Sequence, residues 1–116
     1  MPVASRVAWL TPAESAAIDE FLAGVRSLLP DDLREVRLFG SRARGTGTPE
    51  SDVDLALVVT PTGRARRHEV YDLAFDVGLR HGVQLAPLVL TEPMLQMLRA
   101  RERSIAVALD REGITL

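Results

Sequence analysis

The chain has no cysteine and no lysine; all 14 of its basic residues are arginine. Without cysteine it can form neither a disulfide nor a thiolate metal site. Without lysine it can carry neither a phosphate-binding loop of the Walker type nor a Schiff-base mechanism. Aromatic residues make up only 4% of the chain, too few for a base-stacking surface. No apolar run is long enough to cross a membrane, and the N-terminus has no signal-peptide pattern. A cytoplasmic protein without membrane contact is therefore expected. A net charge of -2 gives no general drive toward nucleic acid, and no direct nucleic-acid binding is expected. The 116 residues suit a single domain, 1–116, around one modest core.

What is present begins with an arm, Met1 to Leu10, from which Val7, Trp9 and Leu10 can dock, Trp9 as a cover for the core. Thr11-Pro12-Ala13-Glu14 is a helix start: N-cap, proline at the first helical position, and a glutamate that can close a capping box. Ile18, Phe21, Leu22, Val25, Leu28 and Leu29 follow at helical spacing, until Pro30-Asp31-Asp32. Leu33 to Phe39 alternates as a strand. Val53 to Val59 is short, almost wholly apolar and rich in valine, the pattern of a strand buried on both faces. Thr60-Pro61-Thr62-Gly63 is read as a loop that carries the solvated cluster Arg64, Arg66 and Arg67. Glu69 to Arg80 is read as a helix with Gly82 as its left-handed cap. His68 and His81 flank it and are expected to be exposed. Val83 to Leu90 is a third strand, and Pro87 inside it argues for a sheet edge. A last helical region starts at Thr91-Glu92-Pro93, with Met94 and Met97 on its apolar face. It is interrupted at Arg99 to Arg103, and Ile114-Thr115-Leu116 forms an extended tail. The sum is an α+β fold, a small mixed sheet with helices packed mainly on one face.

The stretch Phe39 to Val59 carries the chemistry. Gly40 lacks a Cβ, so its backbone can approach an anion closely. Ser41 adds a hydroxyl, a helical turn over Arg42 to Gly45 would aim N–H groups at the same point, and Arg42 and Arg44 add positive charge. Ten residues after Ser41 come Asp52 and Asp54. On a strand these point to one side, roughly 6.5 Å apart. Two carboxylates entering an apolar layer repel, and a divalent cation shared with substrate phosphates relieves both. The plainer alternatives are a solvated glycine-rich turn and an Asp54 paired with a nearby arginine.

The combination Gly40-Ser41, ten residues, then Asp52-Val53-Asp54 resembles the signature of the DNA polymerase beta-type nucleotidyltransferases. Gly40-Ser41-Arg42-Ala43-Arg44-Gly45 and Ser51-Asp52-Val53-Asp54-Leu55 resemble most the small prokaryotic branch, the minimal nucleotidyltransferases. The resemblance implies a polymerase beta-like core. It also implies Mg²⁺ of the two-metal type on Asp52 and Asp54, with ATP as substrate. Gly40, Ser41, Arg42 and Arg44 would bind the nucleotide, and Asp52, Asp54 and Ser41 would be catalytic.

In the family a third carboxylate lies on the strand that corresponds to Val83 to Leu90. Here the matching position holds Gln84, which carries no charge and cannot remove a proton. The resemblance further implies a partner, a small helical HEPN-type toxin with this chain as antitoxin, in a homo- or hetero-oligomer. The implied reaction transfers AMP to a tyrosine of that toxin. Gln84 leaves a second possibility open, a binding module that keeps the fold and neutralises its partner by contact.

Overall fold

The computed structural model describes residue 7, residues 9–46, 51–101 and 103–116, with the side chains of 103 and 106 excepted. The rest of the expected arm, the middle of the Gly-Ser to Asp-x-Asp connection at 47–50, and Glu102 lie outside the described residues.

The chain runs α1 (Pro12–Leu28), β1 (Leu33–Phe39), α2 (Ser41–Arg44), β2 (Val53–Val59), α3 (Pro61–Ala65), α4 (Arg67–His81), β3 (Leu85–Thr91), α5 (Glu92–Arg101), α6 (Arg103–Val107), a π-helical turn (Ala108–Glu112) and β4 (Ile114–Thr115). The four strands form one mixed sheet in the order β3-β2-β1-β4. β1 pairs antiparallel with both β2 and β4, and β2 pairs parallel with β3. The parallel pair needs a crossover, which α3 and α4 supply. β3 is an edge strand, as Pro87 predicts, and the tail becomes the opposite edge.

β2 is central, and its alternating side chains divide the core in two. Val53, Leu55, Leu57 and Val59 join Ile18, Phe21, Leu22 and Val25 of α1 and Val70, Ala74 and Val77 of α4. Ala56 and Val58 join Leu90, Leu95 and Leu109 in a smaller cluster on the opposite face. The main helical layer thus lies on one face, and the C-terminal helical segments cover part of the other. Val7 and Leu10 are buried with the larger cluster, so these two residues dock as expected.

Local chemistry fixes the element ends. Thr11 accepts from the Glu14 N–H (3.1 Å) while Glu14 accepts from the Thr11 N–H (2.8 Å), a complete capping box. Gly82 closes α4 in the left-handed conformation, φ 67°, which a residue with a Cβ adopts only with strain. Glu20 of α1 pairs with Arg80 and lies 3.1 Å from His81 Nε2, so His81 is half-buried against α1 rather than free in solvent, whereas His68 is exposed. Arg37 of β1 donates to the Leu109 carbonyl (2.8 Å), and Arg99 of α5 donates twice to Asp110 (2.9 and 3.0 Å), which ties the π-helical turn to the sheet and to α5.

Several sequence expectations meet a different outcome. Thr60-Pro61-Thr62-Gly63 is not a loop but the start of α3: Thr60 Oγ1 accepts from the Gly63 N–H (3.1 Å) and donates to Asp32 (2.6 Å), with Pro61 at the first helical position. The arginines after it are not simply solvated, since Arg66 bonds the Leu28 carbonyl (2.6 Å) and Glu69 (2.7 Å). The expected interruption at Arg99 to Arg103 falls between two elements: α5 runs through Arg99 to Arg101, with Arg99 satisfied by Asp110, and α6 starts at Arg103. Met97 is exposed rather than core, and Trp9 is half exposed.

Candidate active site

The antiparallel register pairs Phe39 with Asp54, so the residue after β1, Gly40, arrives beside the second carboxylate. The contact dictates the residue type. Gly40 has φ 74°, and a Cβ built there would overlap the Asp54 carboxylate. Only glycine satisfies both the backbone conformation and the approach. Immediately after it, Ser41–Arg44 makes a single helical turn whose N-terminus no side chain among the described residues caps, closed by Gly45 in the left-handed conformation.

Asp54 is partly buried and Asp52, just before β2, is exposed. Burial pushes the Asp54 carboxyl above its usual pKa, and the neighbouring Asp52 charge pushes it further. Neither carboxylate makes an ion pair among the described residues, so the two form an uncompensated pair at the N-terminal end of β2. Among the described residues no group of three or more His, Cys, Asp or Glu side chains converges. A pair of hard oxygen ligands short of counter-charge fits a magnesium ion that takes its other ligands from water and phosphate.

Gln84 lies next to this pair. β3 pairs Leu85 with Val53 and Ala86 with Asp54, and the Val53 N–H donates to the Gln84 carbonyl at 2.8 Å, which puts Gln84 opposite Asp52. Asp52 and Gln84 both line a groove of ≈460 Å³ that continues along α4 past Phe75, Gly78 and Leu79. The strand alignment thus brings Asp52, Asp54, Gly40, Ser41 and Gln84 to one end of the sheet. Asp72 and Asp76, the conceivable replacements for a third carboxylate, are exposed on α4.

The two arginines of the turn part company. Arg44 is exposed and donates to Glu112 at 2.9 Å. Arg42 corrects the expectation that both present charge to phosphate. Its side chain and that of Glu14 are each only 4% exposed and form an ion pair inside the protein. The same Glu14 oxygen that closes the α1 capping box receives the Arg42 guanidinium. Trp9 adds a second tie, donating its indole N–H to the Arg42 carbonyl and laying its ring against Gly45. Arg42 is a positioning residue that anchors α2 to α1, and Trp9 clamps the turn from outside. Sequence spacing gave no sign of either, because the partners are 28 and 33 residues away.

The geometry matches what similar proteins share. The family model described as the nucleotidyltransferase domain matches residues 18–103. Two relatives from Methanocaldococcus jannaschii, both provisionally named protein adenylyltransferases, are 40% identical over 79 residues and 35% identical over 81 residues. The alignments cover 66% of this chain and 53% of the first relative, and 70% of this chain and 77% of the second. The chain therefore spans about half the length of the first. Among solved structures, a mutant of the MntA–HpeT toxin–antitoxin matches with a TM-score of 0.52 at 20% identity, covering 84% of this chain and 70% of that one. A toxin–antitoxin with AMP-PNP matches with a TM-score of 0.51 at 20% identity, covering 82% and 68%. At that identity the two structures speak for the fold, whereas the family match runs from α1 to the start of α6, through both halves of the Gly-Ser and Asp-x-Asp pattern. This chain belongs to the nucleotidyltransferase domain family.

Proposed function

We propose that the chain is a nucleotidyltransferase antitoxin that moves AMP from Mg-ATP to a tyrosine of a HEPN-type toxin partner. The observation that carries this reading is the closure of Gly40 onto Asp54, which sets an anion-accepting turn against a carboxylate pair short of positive charge. The protein adenylyltransferase names of the relatives, and the toxin–antitoxin and AMP-PNP complexes among its structural neighbours, support the choice of donor and of partner.

In this reading Asp52 and Asp54 hold Mg²⁺, which when bound neutralises phosphate charge and polarises the reacting phosphoryl group. Gly40 admits the terminal phosphates to the backbone and Ser41 offers them its hydroxyl. The tyrosine oxygen bonds to the α-phosphorus, the bond from that phosphorus to the α–β bridging oxygen breaks, and pyrophosphate leaves. Gln84 can orient the incoming hydroxyl with a hydrogen bond but cannot take its proton, which is released to water. The absence of a carboxylate at Gln84 favours a second reading, a module that binds the toxin and neutralises it by contact.

Incubation with the product of the adjacent gene, ATP and Mg²⁺ tests both. Intact-mass spectrometry should show one added AMP on the partner. A stable complex with no mass change after long incubation would leave only the binding module. The site itself has a separate readout. Mg-ATP should raise the melting temperature more than ATP alone, and the double change Asp52→Ala, Asp54→Ala should abolish that increment. Persistence of the increment in the double variant would remove the metal site.

A further inference from the structure

α4 buries Val70, Ala74 and Val77 against the core and leaves a second apolar row outside. Tyr71, Phe75 and Leu79 follow at four-residue steps, so they line one stripe of the helix. Phe75 and Leu79 are each 67% exposed, an unusual state for two large apolar side chains one turn apart. On their inner side lies the groove that ends at Asp52 and Gln84. On their outer side, one position further round the helix, come Arg80, already paired with Glu20 of α1, and the acidic residues Asp72 and Asp76. Both are exposed, and neither makes an ion pair or hydrogen bond among the described residues.

We infer that this stripe is the seat of the acceptor protein: it takes an amphipathic helix whose apolar ridge packs on Tyr71, Phe75 and Leu79 and whose flanking lysines or arginines face Asp72 and Asp76. The inference rests on the proposed protein acceptor and adds where it sits and what it must present. Charge selects this occupant. A second copy of the chain would bring its own Asp72 and Asp76 against this pair, four carboxylates around one apolar contact. An anionic lipid surface is repelled for the same reason. Position supports it too, because a helix lying along α4 delivers a residue at its end into the groove beside Asp52. An apolar stripe in a groove read by residues four apart is also an established way for a helix to be held.

Photo-crosslinking tests the seat without assuming the partner's identity. A benzophenone side chain at position 75 or 79 of the full chain, in its native host, should cross-link to a helix that carries lysine or arginine beside its apolar face, and the same group at exposed Ala23 on α1 should not. No adduct from 75 or 79, or an adduct only to a second copy, overturns the inference. With the purified product of the adjacent gene, the double change Phe75→Ser, Leu79→Ser should weaken binding about 30-fold or more, as loss of central anchors does. Asp72→Lys with Asp76→Lys should weaken it about tenfold, mainly through slower association. A cooperative thermal melt reports that both variants are folded. If wild type binds the neighbour and the serine variant binds it equally well, the seat is wrong and the toxin reading stands. If wild type ignores the neighbour while positions 75 and 79 cross-link another basic helix, the toxin reading is wrong and the seat stands.

Discussion

The two faces of β2 do different work. Toward α1 and α4, Val53, Leu55, Leu57 and Val59 are all essentially inaccessible and sit in the larger cluster. Toward the C-terminal segments, Ala56 and Val58 sit in a cluster of five buried residues, and the row ends in Asp54. One strand thus stores stability on one side and presents the carboxylate pair on the other. The cost of burying Asp54 beside Asp52 falls on the face with less packing to lose, while the large core holds the backbone that aims both carboxylates.

The comparison can be pushed hardest at the reactive end. Gln84→Asp supplies the missing carboxylate, and a general base is worth about 10²–10⁴ in rate. Transfer to the partner at saturating Mg²⁺ should rise by up to that factor, and melting in chelator should fall, since three carboxylates then crowd together. A fast wild type that gains nothing from the change would show that a third carboxylate is not needed here.

The buried anchor of the turn comes next. Arg42→Ala leaves the Glu14 carboxylate uncompensated in the core, and breaking such a pair costs about 3–5 kcal/mol. Replacing both with Met and Leu should recover most of that stability in urea denaturation. Phosphate affinity should stay low in the doubly apolar variant if the ion pair is what holds Ser41 in place. Full affinity there would reduce Arg42 to a packing role.

The core faces themselves should differ in size of effect. Leu57→Ala removes a fully buried leucine from the large cluster and should cost about 2–5 kcal/mol. Val58→Ala, one residue on and facing the other way, should cost about 1–2 kcal/mol. Equal losses in urea denaturation would contradict the division.

The smallest effects are of opposite sign on the same face. The Asp54 carboxyl is raised by burial and by Asp52, so its charged form weighs against folding. The native state is favoured below the ordinary aspartate range and loses that advantage as pH rises through the raised value. Asp54→Asn should therefore melt higher than wild type at pH 7 in chelator, with the gap closing in acid. The Asp110 carboxyl is lowered, mainly by its hydrogen bonds from Arg99. Its contribution is present above the ordinary range and disappears as pH falls through the lowered value. Asp110→Asn should melt lower than wild type at pH 7, again converging in acid. Melting curves from pH 3 to 8 that moved the same way for both would overturn the assignment.

Much of this was legible in the residues. The alternation of β1 and the apolar run of β2 mark both strands at their observed ends, and the Gly-Ser and Asp-x-Asp halves mark where they meet. Pro87 announces the edge strand. What escaped is nonlocal or ambiguous. Arg42 and Arg44 are alike in sequence, yet one is drawn inward by a glutamate two elements away and the other stays at the surface. Thr60-Pro61 carries the same start signal as Thr11-Pro12. Gly63, two residues on, suggests a loop, but the hydroxyl of Thr60 and its bond to Asp32 outweigh the low helix propensity of glycine. Phe75 and Leu79 fit a helix as well as any core residues do, and only the placement of the sheet shows that they face outward.

Pro87 has a further consequence. An exposed strand edge invites another chain to add itself as one more strand, either as a binding mode or as the first step of aggregation. Here one edge is β3, where Pro87 interrupts the row of donors an incoming strand needs, and the other is the two-residue β4. Both margins of the sheet are blunt. Recruitment of a partner by backbone pairing is disfavoured at the end that carries Asp52, which leaves side-chain surfaces such as α4 to select it, and the free chain can accumulate without templating a growing sheet.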